Sequence, residues 1–317
     1  MKYYVGIDLG GTNIVAGVVD ENCKILNKAR VKTALPRPAE EIVDDMAKVV
    51  KQAVAEANLT MDDVEWIGLG CPGTVNKDTG MIVYANNLDF YDVPMEKMLE
   101  ERLGKKLYMD NDANAAAYGE FVAGAAKGAN NAVAITLGTG VGSGIIIDGK
   151  VYSGSNFAGA ELGHHVIVKD GRHCTCGRDG CFEAYCSATA LIAFTKEKMN
   201  QTKDTVMWEI CDGDINKVNG LTAFDAMRAQ DKAGKEVVDL YLSYLATGVV
   251  NIVNIFQPDV LCIGGGVSKE GENLLGPIKA ALLAENYARF GNKQTQIVAA
   301  TLGNDAGIIG AAMLGKM

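Results

Sequence analysis

Positive charge is in short supply in this 317-residue sequence: 30 Lys and Arg stand against 39 Asp and Glu, leaving a net charge of −9. That balance excludes a general attraction to nucleic acid or anionic membrane, so an anionic substrate has to be met by locally aimed donors. An uncharged apolar run long enough to span a bilayer is missing. The most apolar long stretch, residues 237–256, carries Asp239, Asn251 and Asn254 and reads as a buried helix. The N-terminus enters a strand-like run at once, from Tyr3 to Asp8, with no apolar signal core and no small-residue cleavage site, which points to a cytoplasmic protein. A disulfide framework is also absent, because outside one cluster the eight cysteines stand singly, as reduced thiols do.

What remains is ordinary globular usage, 48% hydrophobic and 22% charged, in a chain long enough for two domains. Residues 3–19 read as strand, glycine turn and strand, with Gly10-Gly11-Thr12-Asn13 at the turn. The segment 134–148 repeats that pattern around Gly138-Thr139-Gly140 at a constant offset of 128 residues, aligning Ile7 with Ile135 and Asp20 with Asp148. Such a duplication predicts two similar α/β domains facing each other across a cleft. Between the hairpins, residues 39–57 form an amphipathic helix with Ile42, Met46, Val49, Val50 and Ala53 on one face. Residues 64–70, 81–84 and 106–109 read as strands, 113–125 as a helix, and 259–263 as a strand leading into Gly264-Gly265-Gly266, with Ser268 as the cap of a following helix.

Glycine turns after strands let backbone N–H groups approach phosphate oxygens. None of the three fits the mononucleotide P-loop, since no Gly-Lys pair precedes Ser or Thr, and none fits the spaced dinucleotide fingerprint. Asp8 beside the first turn would repel phosphate unless a divalent cation lay between them, which suggests a magnesium nucleotide. Asp112, in Asp110-Asn111-Asp112-Ala113-Asn114 at a strand-to-helix junction, is the candidate base, with a helix N-cap as its alternative role. From Glu161 to Cys186 the chain gathers all three histidines and four cysteines in a polar, glycine-rich stretch that apolar packing cannot hold. Cys174, Cys176 and Cys181 with one histidine fit a closed structural Zn²⁺; spacing leaves open whether His164 or His165, folding back from a separate strand, or His173 or even Cys186 is the fourth ligand.

With Gly6 to Asn13, Asn111-Asp112, Glu161-x-Gly163-His164 and Cys174-x-Cys176-Gly177-x-x-Gly180-Cys181-x-Glu183, the sequence resembles the ROK family of repressors, open reading frames and sugar kinases, along essentially its whole length. The resemblance implies two ribonuclease-H-like domains of the actin-like ATPase type with a structural zinc loop, and we expect residues 1–116 plus a C-terminal helix at 303–317 in a small domain and 117–302 in a large one. It implies zinc on His164, Cys174, Cys176 and Cys181. Sugar hydroxyls would meet Gly73, Asn86, Asn111, Asp112, Glu161, His164 and Glu183. ATP with Mg²⁺ would sit on Asp8, Gly10, Gly11, Thr12, Asn13, Gly138, Thr139, Gly140, Gly265 and Gly266. Asp112 would accept the proton of the sugar 6-hydroxyl, an ordinary carboxylate needing no special tuning. The partners implied are a small sugar and ATP, with no nucleic acid or membrane, in a homodimer. Ala85-Asn86-Asn87-Leu88-Asp89-Phe90 resembles the glucose-phosphorylating form of the family, with fructose, mannose and N-acetylated amino sugars as alternatives. A sugar-responsive regulator would need a helix-turn-helix before the first hairpin, where Asp8 arrives too early, and an actin-like ATPase without a sugar would leave the zinc and carboxylate cluster unexplained.

Overall fold

The computed structural model describes all 317 residues. The strands are β1 (Tyr3–Leu9), β2 (Asn13–Asp20), β3 (Ile25–Lys32), β4 (Val64–Cys71), β5 (Thr74–Asn76), β6 (Met81–Ala85), β7 (Phe90–Val93), β8 (Leu107–Asn111), β9 (Ala132–Leu137), β10 (Val141–Ile147), β11 (Lys150–Val151), β12 (Val260–Gly265) and β13 (Gln296–Ala299). The helices are α1 (Ala39–Glu56), α2 (Met95–Leu103), α3 (Asp112–Ala123), α4 (Glu183–Cys186), α5 (Ala188–Gln201), α6 (Met207–Ile210), α7 (Thr222–Arg228), α8 (Lys232–Phe256), α9 (Glu272–Glu285) and α10 (Ala306–Met313).

The sequence repeat becomes a repeat of topology. One sheet runs β3-β2-β1-β4-β8 and another β11-β10-β9-β12-β13, so each strand of the first hairpin has its counterpart in the second. In the first sheet β2 is antiparallel to β1 and β3, while β4 lies parallel to β1 and β8 parallel to β4. β1 is central, and its Val5, Ile7 and Leu9 are fully buried, as an apolar strand covered on both faces requires. β3 is an edge, and it exposes Lys28, Arg30 and Lys32, charges that discourage pairing with another chain.

The chain divides into two compact units, one of residues 1–134, 144–160 and 300–317, the other of 135–143 and 161–299. The expected boundary at 116 falls inside α3, which packs along α10 and so stays with the first unit as a whole. α10 in turn lies directly on β1 and β4. A Cβ at Gly6 would stand 1.9 Å from the Ile308 carbonyl oxygen, and one at Gly68 would stand 1.7 Å from that of Ala311, so only glycine admits the helix. α1 buries Ile42, Met46, Val49, Val50 and Ala53, as its periodicity predicts. In the second unit α8 is long and apolar enough to cross a membrane by length and composition alone. It packs instead on α5, α7 and α9, burying Val237, Tyr241, Leu245, Val249 and Ile252.

Three local expectations change. β8 continues through Asp110 and Asn111, two residues beyond the expected strand end at 109. Ser268 caps no helix: its hydroxyl donates to the Gly265 carbonyl oxygen at 2.8 Å, and α9 begins at Glu272 after Gly271, whose φ of 57° breaks the chain direction there. His164 lies in a 3₁₀ turn, Leu162–His164, rather than on a strand.

Candidate active site

In the first unit β1 delivers Asp8 to its carboxyl end, where the turn of Gly10, Gly11 and Thr12 is closed by the Gly10 N–H donating to the Asn13 carbonyl at 2.9 Å. Asp8, Gly10, Gly11, Thr12 and Asn13 line a cavity of about 620 Å³ together with Lys28, Arg30, Asn304 and Asp305. Lys28 and Arg30 escape sequence reasoning because their alternation along β3 looks like an ordinary solvated edge. Burial, and then the negative charge of Asp112, push the Asp8 carboxyl up to about 6. A site that holds two carboxylates in this way, beside a turn of backbone amides, has the donor set a hard divalent cation takes together with phosphate oxygens.

Asp8 pairs in register with Gly70 on β4, and Gly70 with Asp110 on β8, so the Asn111-Asp112 corner stands at the same sheet edge. Asn111 is the N-cap of α3: its Oδ1 accepts from the N–H groups of Ala113 at 2.9 Å and Asn114 at 3.3 Å. Its Nδ2 donates to the Gly73 carbonyl oxygen at 3.1 Å. Asp112 is therefore the first residue of the helix, not its cap, and its carboxylate is met locally by backbone amides, accepting from the Ala113 N–H at 2.9 Å. Its surface stays partly open, yet enough protein surrounds it that burial raises its carboxyl, opposed by the Ala113 amide. The untuned carboxylate expected at this position is corrected accordingly.

A small sheet, β5-β6-β7, carries the other two expected sugar contacts of this unit. Gly73 precedes β5, and Asn86 opens the 3₁₀ turn that follows β6, with its Oδ1 accepting from the Tyr84 hydroxyl at 3.0 Å. Asp110 and Lys77, whose pairing holds this sheet to β8, were not singled out in the sequence. A buried aspartate inside a strand and a lysine in a turn carry no spacing signal.

In the second unit the turn Gly138-Thr139-Gly140 closes with the Gly138 N–H donating to the Gly140 carbonyl at 3.0 Å, one residue tighter than its counterpart. The start of α5 fastens it: the Ala188 N–H and the Thr189 hydroxyl donate to the carbonyls of Gly138 and Thr139, each at 2.8 Å. Gly265 ends β12 beside it, where a Cβ would stand 2.3 Å from the Leu137 carbonyl oxygen; Gly266 follows. Glu183, at the start of α4, accepts from the Val141 N–H at 2.9 Å, and a Cβ at Gly140 would meet its Oε2 at 2.3 Å. Its other oxygen lies 3.6 Å from the Cys174 sulfur. One carboxylate thus bridges the second glycine turn and the cysteine cluster.

The ligand atoms of His164, Cys174, Cys176 and Cys181 lie within 4.8 Å of one another. Zn–S bonds of about 2.3 Å in a tetrahedron put ligand sulfurs about 3.8 Å apart. Cys176 and Cys181 are 3.6 Å apart, and Cys174 lies 3.7 Å from His164 Nδ1, so the four fit a closed zinc site. The alternatives face elsewhere: His173 bonds Asp179 at 2.9 Å, His165 bonds the Leu162 carbonyl against Phe182, and Cys186 is fully buried under α8. Burial, and then Cys176 and Cys174, push the Cys181 thiol up to about 12. Three adjacent thiols cannot all ionise without a cation to balance them. Glu161 precedes the 3₁₀ turn that carries His164 and leaves its side chain exposed. The first unit thus gathers Asp8, the first turn, Gly73, Asn86, Asn111 and Asp112, and the second gathers the other two turns, Glu161, His164, Glu183 and the cysteines.

Known proteins resemble this chain in sequence and in fold along nearly its whole length. The sequence model of the ROK family matches residues 4–317. A glucokinase of Thermotoga maritima is 35% identical over 316 residues, covering 98% of this chain and 96% of that protein. A glucokinase of Halalkalibacterium halodurans is 37% identical over 319 residues, covering 99% and 95%. The crystal structure of a ROK family glucokinase from Streptomyces griseus, in complex with glucose and AMPPNP, is similar with a TM-score of 0.81 at 36% identity, covering 98% of each chain. The duplicated sheets, the glycine turns and the Cys/His cluster therefore sit in a fold of the actin-like ATPase type, and the chain belongs to the ROK family.

Proposed function

We propose that this protein is a kinase that transfers the γ-phosphoryl group of ATP to the 6-hydroxyl of glucose, with Asp112 as the general base. The observation that carries the reading is Asp112 at the end of β8, spared helix capping by Asn111 and standing close enough to Asp8 that its charge raises the Asp8 carboxyl. The glucokinases with which the chain shares more than a third of its residues support glucose as the acceptor.

In this reading Gly73, Asn86, Asn111, Asp112, Glu161, His164 and Glu183 hold the sugar, and the three glycine turns hold the nucleotide. Asp112 accepts the 6-hydroxyl proton as that oxygen attacks phosphorus in line. Burial moves the Asp112 carboxyl upward, toward the operating pH, which makes it a stronger base as long as it remains ionised. General-base assistance contributes about 10²–10⁴-fold, and alignment and charge stabilisation supply the rest. Mg²⁺, held in part by Asp8, supplies neutralisation of the phosphate charge when bound. The amides of the first two turns orient phosphate oxygens. Zinc on His164, Cys174, Cys176 and Cys181 supplies a cross-link and takes no part in the chemistry; Glu183, against Cys174, is positioned by it. The reading includes a cytoplasmic homodimer.

ADP release measured with ATP, Mg²⁺ and a panel of glucose, mannose, fructose, N-acetylglucosamine and N-acetylmannosamine tests it. Strong turnover with glucose is expected. Turnover with another sugar alone would keep the mechanism and reassign the acceptor, whereas silence across the panel would contradict a sugar kinase.

A further inference from the structure

Lys77 follows β5 in the turn toward β6, and its side chain crosses to two other segments. Its ammonium lies 3.2 Å from Asp110 Oδ2 on β8 and 3.2 Å from the hydroxyl of Ser153, which follows β11. The Asp110 side chain is only 4% exposed and that of Lys77 35%, so the ion pair is sunk on its acidic side. Asp110 Oδ1 accepts from the Asn111 N–H and from Asn114 Nδ2, each at 2.8 Å. The segment after Ser153 is fixed by the Gly159 N–H donating to the Ser153 carbonyl at 2.9 Å, and it runs on in sequence to Glu161.

Each of these three segments leads to a residue of the sugar site proposed above. β5 and β6 lead from Gly73 to Asn86, β8 leads to Asn111 and Asp112, and the loop from Ser153 leads to Glu161. The small sheet shares no ladder hydrogen bond with the sheet containing β8. Apart from the Asn111–Gly73 bond, the polar tie between them is this one ammonium. A buried carboxylate needs such a partner, since an unpaired charge there would be strongly destabilising.

We propose that Lys77 is a positioning residue for sugar binding: through Asp110 and Ser153 it sets the placement of Asn86 relative to Asp112. The inference rests on the sugar-kinase reading. Misplacing binding groups by about 1 Å can cost on the order of 10²-fold. Lys77→Met should accordingly raise the KM for glucose about 10- to 100-fold, leaving the KM for ATP and the zinc content unchanged. Lys77→Arg, which keeps the charge and the reach to a carboxylate, should restore most of the loss.

The experiment is steady-state kinetics on the full chain with glucose and ATP varied separately, alongside calorimetric titration of glucose without ATP. Should Lys77→Met fail to fold around the unpaired Asp110, the double variant Lys77→Met/Asp110→Asn removes the stranded charge and should fold while keeping the raised glucose KM. A wild-type glucose KM in either variant, or an equal rise in the KM for ATP, would overturn the inference. Wild-type enzyme turning over glucose in the same assay separates that failure from failure of the sugar-kinase reading, which would remove both.

Discussion

Asn111 caps the helix that Asp112 begins. The Asn111 Oδ1 accepts the Ala113 and Asn114 N–H groups at 2.9 and 3.3 Å, the two donors that an aspartate at the cap would take. Two jobs that compete for one carboxylate in the sequence are divided between neighbours in the fold.

Thermal unfolding should separate those jobs. Asn111→Ala loses the cap and should cost about 1 kcal/mol. Asp112→Asn removes a carboxyl that burial disfavours in its charged form, so it should hold or raise the melting temperature. A large drop in Tm for Asp112→Asn would mean that the residue serves the fold first.

The pH dependence of stability should carry the mark of Asp8. Its folded-state pKa of about 6 lies above the ordinary value of 3.8, so the folded state holds its proton more tightly than the unfolded chain. Its contribution is therefore greatest below pH 3.8 and is lost as pH rises through about 6. At pH 7, Asp8→Asn should stabilise the nucleotide-free protein by up to about 2–3 kcal/mol. Magnesium nucleotide should stabilise wild type but hardly the variant. Unfolding followed at pH 4 and pH 7 checks it: an equal effect of Asp8→Asn at both would contradict the shift.

Metal analysis should find about one zinc per chain, lost in Cys176→Ser and kept in His173→Ala and Cys186→Ser. Stripping the metal should lower Tm and loosen the segment 161–186, detectable as faster amide exchange there. A fully folded native protein without zinc would contradict the site.

Much of this was legible in the sequence because it rested on strong local signals. The repeat at a 128-residue offset foretold the matching strand orders of the two sheets, and the clustered Cys and His residues of the sequence do gather, with four ligand atoms within 4.8 Å of one another. What stayed hidden depended on contacts distant in sequence. His164 could be told from His165 and His173 only by where each ring turns, and Lys77 and Asp110 only by their meeting across 33 residues. Ser268 has the chemistry of a cap, but Gly271 restarts the helix beyond it. The boundary near residue 116 failed to anticipate α3 lying along α10, because alanine and glycine pack closely without any periodic signature.

The most direct test of the account is phosphoryl transfer from ATP to glucose by zinc-loaded, folded Asp112→Asn set beside wild type. Loss of at least about 10²-fold in kcat, with glucose still bound, is the predicted result. Near-normal turnover by the variant would contradict Asp112 as the base, and with it the mechanism built on the Asn111–Asp112 corner.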